Sequence, residues 1–342
     1  MADVEPSSPP ASDPTSAAPK KMKPARKKPS KGTSATCAPS STTPANGASA
    51  QQQKQRDKEF SAHKSHILAN LQANACDLSP KGSVDVKCLP VMAVLNTHGD
   101  YVTTSSCSGR IALFHHVAHG EAADADLESA STPKPRMKRG EDAALGWVLV
   151  KHGMLRPAEM ALVVQFLCGV AATPDEVALD AAQMEQHVAH MTVLCGCDDS
   201  GADAASPLAG MYAGEVEGAL ANSVEALAVP TRGTVSLKME PFVMHVECRT
   251  MEAAKRLLSA AVSDSGYRNS GVVPPGKKIM CGIRGAAGLG MEVPVVVHGV
   301  NHVAQQRAYV WALLGLANEK MEANERKIKL LEASVAARVQ PA

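Results

Sequence analysis

The sequence predicts an α+β fold: a mixed β-sheet with flanking helices and a long C-terminal helix. Three observations carry that expectation. In TVSLKMEPFVMHVEC, from Thr234, apolar residues recur at every second position, the period of a half-buried strand. Near the C-terminus, Val310, Leu314, Ala317, Met321, Ile328, Leu331 and Val335 follow alternating spacings of three and four, the seam of a docked helix, broken only by Asn324. Finally, there is no GxxxxGK[ST] loop and no GxGxxG after a strand; GAAGLG, from Gly285, has its glycines in the wrong order and leads into a strand. An ordinary Rossmann nucleotide site is therefore not expected.

The elements follow in order. Residues 1–56 are rich in Ser, Pro, Ala, Thr and Lys, and carry nine bases against three acids. Ordering them would cost backbone entropy with little apolar surface to bury, so they are expected to be a disordered basic tail. Within it KKMKPARKKPSK, from Lys20, fits a nuclear-import or nucleic-acid arm as well as it fits a solvated tail. A single domain, 57–342, follows. Phe60, Ile67, Leu68, Leu71 and Ala75 share one helical face, and Pro90 can open a second helix through Val94 and Leu95. YVTTSS and RIALFHH read as strands joined by a tight turn at Cys107, Ser108 and Gly109, and GWVLVKH as a further strand. A surface insertion is expected at about 118–144.

After a helix starting at Pro157, residues 173–231 read as a second surface insertion; 157–231 carry eleven acids and no base. In TVSLKMEPFVMHVEC the apolar set moves from odd to even positions at Glu240–Pro241. A one-residue bulge there would keep both sets on the core side, leaving Lys238 and His245 on the opposite face. Thr250 should cap a helix through Leu257, Leu258, Ala261 and Val262, ended by Gly266. KIMCGIRG and MEVPVVV are the last strand candidates before the long helix.

The chain of 342 residues has a formal net charge of +1, but the near-neutrality hides a strongly acidic middle between basic ends. Nine scattered cysteines fit a reducing compartment better than a disulfide framework. No run approaches the roughly 18 to 20 apolar residues of a membrane span. A cytoplasmic protein is expected, with the basic tail leaving nuclear import open.

Two segments carry candidate chemistry. HVAHMTVLCGC offers His187, His190, Cys195 and Cys197, but cysteines separated by one residue are an uncommon way to close a zinc site, and no metal is assigned. TTSSCSGR, from Thr103, places hydroxyls, a thiol and a guanidinium around a glycine, a combination able to hold a carboxylate or phosphate. Cys107 could instead be a nucleophile with His152 or His245 as base.

Seven blocks then occur in one order: KGSVD at Lys81, TTSSCSGRI at Thr103, WVLVKH at Trp147, LKMEPFVMHVECR at Leu237, SGYRNSGV at Ser265, MEVPV at Met291 and NEKMEAN at Asn318. Together they resemble the tRNA wybutosine-synthesizing methyltransferase family, from about Phe60 to Leu330. The sequence departs from that pattern at Met239, where an aromatic is expected, and in the glycine-rich stretch after Arg284.

The resemblance implies a non-Rossmann methyltransferase using S-adenosyl-L-methionine on phenylalanine tRNA, with other wybutosine-pathway enzymes as further partners. The methyl group would go to N4 of the tricyclic 7-(3-amino-3-carboxypropyl)-4-demethylwyosine base beside the anticodon. It implies a cofactor site at Ser105, Ser106, Cys107, Ser108 and Arg110. Catalytic positions would be His245, His152 and Lys238, and substrate contacts Trp147, Glu240, Arg268, Asn269, Ser270 and Arg284. Two other classes compete: a non-catalytic RNA-binding module, and a Cys107-dependent hydrolase.

Overall fold

The computed structural model describes residues 46–72, 84–116, 144–195, 216–218, 227–273, 276, 278–285 and 288–339. The basic run of the tail and the linker before Ala144 lie outside them. Helix α1, Asn46–Gln72, begins within the stretch expected to be tail. Its Phe60 is buried, while Asp57 meets Arg249 and His63 meets Glu247, so contacts with the body order its central part. A short turn, Val86–Cys88, leads into α2, Leu89–Thr97, with Pro90 in its first turn as expected.

The predicted hairpin at Cys107–Gly109 does not form. Tyr101–His116 is one strand, β1, of 16 residues. Gly109 has φ 99° yet stays in register opposite Pro241, so the backbone bends there without reversing. A partner of matching length, β3 (Thr234–Cys248), supports β1 from end to end. The strand β2, Ala144–Lys151, covers only the second half of β1, from Ile111 to His116.

On the far side β3 has two successive neighbours. Val235 to Met239 pair with β6, Met291–Val297, and Val243 to Cys248 pair with β5, Ile279–Arg284. The short β4, Gly271–Val272, edges β5, and β7, Val300–Asn301, edges β6. All these pairings are antiparallel.

The phase flip lies where expected, at Glu240–Pro241, but its cause is not a bulge. The β1–β3 register runs unshifted from Ser105–His245 to His116–Thr234. Both strands flip together, since β1 turns Ile111 and Leu113 to the core after Gly109. At that point the side-chain amide of Asn324 accepts from Phe242 N–H and donates to Ser108 C=O, each at 2.8 Å. An inserted amide thus takes the backbone groups of facing residues, and both apolar sets remain on one side.

That side is covered by the long helix α6, Arg307–Arg338, for which the whole predicted seam is buried. Its first half packs Val310, Leu314 and Met321 into a cluster with Ile111, Leu237 and Met239; its second half packs Ile328, Leu331 and Val335 with Phe242, Met244 and Val246. Each such side chain contributes about 1.5–3 kcal/mol by leaving water. Thr250 caps α5, Met251–Leu258, by accepting from Ala253 N–H at 3.0 Å. The helix then widens into a π-turn, Ser259–Asp264, before Gly266 at φ 71° ends it.

The acidic stretch begins as regular structure packed on the body. After α3, Pro157–Cys168, it forms α4, Pro174–Cys195. Thr173 and Glu176 cap it reciprocally: Glu176 accepts from Thr173 N–H and Thr173 Oγ1 accepts from Glu176 N–H. Asp180 meets Arg307, and His187 Nε2 lies 3.4 Å from Asn318 Nδ2, both partners being on α6. His187 is therefore engaged with the core; the side chains of His190, Cys195 and Cys197 lie outside the described residues. None of the described helices is long and apolar enough to cross a membrane.

Candidate functional site

The site forms where β2 stops. Beyond Ile111–Lys151 the edge of β1 has no strand beside it among the described residues, and polar side chains take its backbone donors instead. Asn96 Oδ1 accepts from Thr103 N–H and Asp85 Oδ2 from Ser108 N–H, each at 2.8 Å. Asp85 Oδ2 also accepts from Ser108 Oγ at 3.1 Å and lies 3.1 Å from His152 Nδ1, the first residue after β2. The Cys107 thiol lies 3.8 Å from the same nitrogen. Sequence reasoning gave Asp85 no role; its only signal was its place at the end of the KGSVD block.

The charge state of His152 follows. Its contact with buried Asp85, aided by Cys107 and opposed by desolvation, raises its pKa to about 9, so it is an imidazolium at neutral pH. A cysteine–histidine relay is disfavoured by the same geometry: thiol and carboxylate both meet Nδ1, whereas such a relay uses the two ring nitrogens for different partners.

Strand alternation sorts the hydroxyl-rich segment. Ser105 and Cys107 point to the face turned away from α6. Ser106 and Ser108 point to the core side, where Ser106 Oγ donates to Met92 Sδ at 3.6 Å and Ser108 Oγ to Asp85. The segment expected to turn at Cys107–Gly109 is thus divided between two faces because it is a strand.

On the outer face Ser105 Oγ lies 2.9 Å from His245 Nδ1, directly across from it. Desolvation, then the nearby charge of Arg284, holds the pKa of His245 below its ordinary value, so this imidazole is neutral where His152 is charged. Past the flip, the same face carries a second group. Arg110 Nε donates to Glu240 Oε2 at 2.5 Å, with its guanidinium 4.3 Å above the Trp147 ring. Trp147 and Phe114 have centroids 4.6 Å apart, and Lys238 lies 5.4 Å from the Phe114 ring while meeting Glu292 at 3.0 Å. The synchronous flip keeps His245 and Lys238 on one face although they differ in parity.

The remaining site residues lie beside β5. Asn269 Nδ2 donates to Gly285 C=O and Ser270 Oγ accepts from Arg284 N–H, each at 3.1 Å. Arg268 and Arg284 are exposed.

An antiparallel α+β sheet whose polar, aromatic face bears one charged and one neutral histidine defines a class of protein distinct from the nucleotide-binding parallel sheets. The chain belongs to the family described as "Methyltransferase TYW3", whose model matches residues 62–337. Among its relatives, a mouse tRNA wybutosine-synthesizing protein 3 homolog is 31% identical over 274 residues, covering 80% of this chain and 71% of the mouse protein. A zebrafish homolog of the same name is 29% identical over 269 residues, covering 78% and 73%. A solved protein from Pyrococcus horikoshii, 20% identical, aligns with 82% of this chain and 97% of its own at a TM-score of 0.49.

Proposed function

We propose that this methyltransferase uses S-adenosylmethionine to methylate N4 of the tricyclic 7-(3-amino-3-carboxypropyl)-4-demethylwyosine base of phenylalanine tRNA, a step of wybutosine synthesis. The observation that carries the reading is the family match, which spans the site from Asp85 to Asn324. The names of the relatives supply the pathway.

The donor set suits such a cofactor. The His152 imidazolium matches a methionine carboxylate, and the Trp147 and Phe114 rings match an adenine face. When bound, S-adenosylmethionine supplies an electrophilic methyl group on a sulfonium. Ser105 and Cys107 line the face directly, while Ser106 and Ser108 act from behind it, Ser108 by fixing Asp85 and through it His152. Arg110 and Lys238, held by Glu240 and Glu292, bind and orient anionic groups of the ligands.

The two histidines divide the proton work. N4 must lose a proton as it is methylated, and neutral His245 accepts it at a ring nitrogen, Ser105 orienting the imidazole. His152, already protonated, holds a carboxylate instead. Positioning of the acceptor and exclusion of water by this face supply most of the acceleration.

The test is incubation of the full chain with labelled S-adenosylmethionine and phenylalanine tRNA bearing the demethylated tricyclic base, with undermodified tRNA as control. One methyl on the ring nitrogen is expected; none, or equal labelling of the control, overturns the reading. His245→Ala and Arg110→Ala should lose turnover while keeping the wild-type melting profile. Retained tRNA binding without any cofactor-dependent methylation by the wild type would favour a non-catalytic RNA-binding protein.

A further inference from the structure

Most arginines among the described residues are neutralised by a carboxylate: Arg249 by Asp57, Arg256 by Asp100, Arg307 by Asp180 and Arg338 by Asp264. Arg268 and Arg284 are exceptions, exposed and without a carboxylate partner among the described residues. Two half-buried lysines of α6 likewise have no carboxylate partner among the described residues. Lys327 Nζ donates to Ser265 C=O at 3.4 Å and lies 5.9 Å from the Tyr267 ring; Lys320 Nζ donates to Gly288 C=O.

These four cations lie on connected ground. The loop bearing Arg268 is joined to β5 by Asn269 to Gly285, by Ser270 to Arg284 and by the Gly271–Gly282 pairing. Lys327 rests against the start of that loop, its Nζ only 3.0 Å from where a side chain on Gly266 would begin. Lys320 reaches the loop after Arg284. Being seven residues apart, Lys320 and Lys327 share one helix face, about 10.5 Å apart along the axis. The acids between them are turned to other work: Glu322 meets Arg326, and buried Glu325 meets Lys87. The strip begins at Arg284, which adjoins the proposed proton acceptor: His245 lies opposite Gly282, where a side chain would start 3.7 Å from His245 Nε2 and 3.6 Å from Arg284 Nε.

Cations that no carboxylate neutralises, two of them held by backbone carbonyls, retain their charge for an external anion, and a row of them suits a chain of phosphates better than a single small ligand. We propose that Arg268, Arg284, Lys320 and Lys327 hold the sugar–phosphate backbone of the RNA substrate while its base enters the face at His245. The inference rests on the proposed RNA substrate and adds the surface that binds it.

The experiment is a titration of the full chain with a phenylalanine tRNA transcript between 50 and 200 mM salt, roughly the range over which phosphate contacts are most visible. Arg268→Gln with Lys320→Gln should weaken binding and reduce the slope of log affinity against log salt by about two, one per lost phosphate contact. Lys327→Gln alone should reduce it by about one. Lys255→Gln removes an exposed charge on α5, outside the strip, and should leave the slope unchanged. Circular-dichroism melts confirm that each variant is folded. Wild-type slopes in the strip variants, an equal effect of Lys255→Gln, or no binding by the wild type would each overturn the assignment. Binding that weakens as expected in a protein that does not methylate the modified tRNA would instead overturn the proposed reaction and leave this surface standing.

Discussion

Asn324 accepts a hydrogen bond from Phe242 N–H at 2.8 Å and returns one to Ser108 C=O at the same distance, standing between two strands that elsewhere bond to each other. The amide is fully buried. It is also why residue 109 is glycine: a Cβ there would lie 2.8 Å from Asn324 Nδ2 and 2.9 Å from Glu240 C=O, at a φ of 99° that side chains rarely adopt. Helix and sheet are thus keyed to each other at the point where both strands change phase.

Asn324→Leu leaves two buried backbone groups unpaired, each costing about 1–3 kcal/mol, so the variant should lose roughly 2–6 kcal/mol. Asn324→Asp keeps an acceptor for Phe242 N–H but has no N–H for Ser108 C=O, and places a charge in the core. Urea unfolding should show both less stable than wild type; equal stability of the leucine variant would remove the key from the account.

This key explains what was and was not legible. The seam of α6, the period of β3 and the position of its flip all follow from side-chain burial, which sequence pattern records directly. The mechanism of the flip depends on a residue more than eighty positions away, and a polar break in a helical seam does not say what it touches. TTSSCSGR resembles a turn because Ser and Gly are turn formers, yet pairing along the whole of β3 overrides local preference. Arg110, Trp147, Lys238 and Glu240 do gather on one face. Asp85 was silent because a lone carboxylate acquires meaning only from the backbone and imidazole brought to it.

The Asp85–His152 pair makes stability depend on pH. The folded pKa of His152, about 9, lies above the ordinary histidine value of 6.5 that it regains on unfolding. The pair's contribution is therefore fully present below about pH 6.5 and is lost as the pH rises through 9. Since each tenfold gain in proton affinity is worth about 1.36 kcal/mol, roughly 3 kcal/mol is the scale of that loss. Asp85→Asn should be less stable than wild type at pH 6 and converge on it near pH 10. Parallel stability curves for the two proteins between those limits would contradict the pairing.

Lys151 is wholly buried, with its ammonium 2.6 and 2.5 Å from the two oxygens of Glu159. Burial lowers its pKa even with that partner present. Glu159 also caps α3 by accepting from Arg156 N–H at 2.7 Å, so the pair fixes the end of β2, and with it His152, against the next helix. Lys151→Met should cost about 3–5 kcal/mol by stranding the carboxylate, while Lys151→Met with Glu159→Gln should recover much of that loss. Chemical denaturation of the single and double variants measures the difference; equal costs would show that the charge is not stranded.

The acidic helix α4 bears on whether acid in the middle of the chain merely offsets the basic strip. Charge alone suggests that removing it would spare the fold and strengthen RNA binding. Packing argues otherwise, since Asp180 binds Arg307 at the start of α6, Met184 packs against the core, and Asn318, which His187 approaches, also holds the Leu155 backbone N–H and C=O at 2.8 Å. Deleting 174–195 should therefore lower the melting temperature sharply or abolish folding. Asp180→Asn, which removes one acid and leaves the helix, should cost about 1–3 kcal/mol because Arg307 is left nearly buried without its partner. Tighter tRNA binding by a deletion variant that melts like wild type would show instead that the helix is a dispensable electrostatic mask.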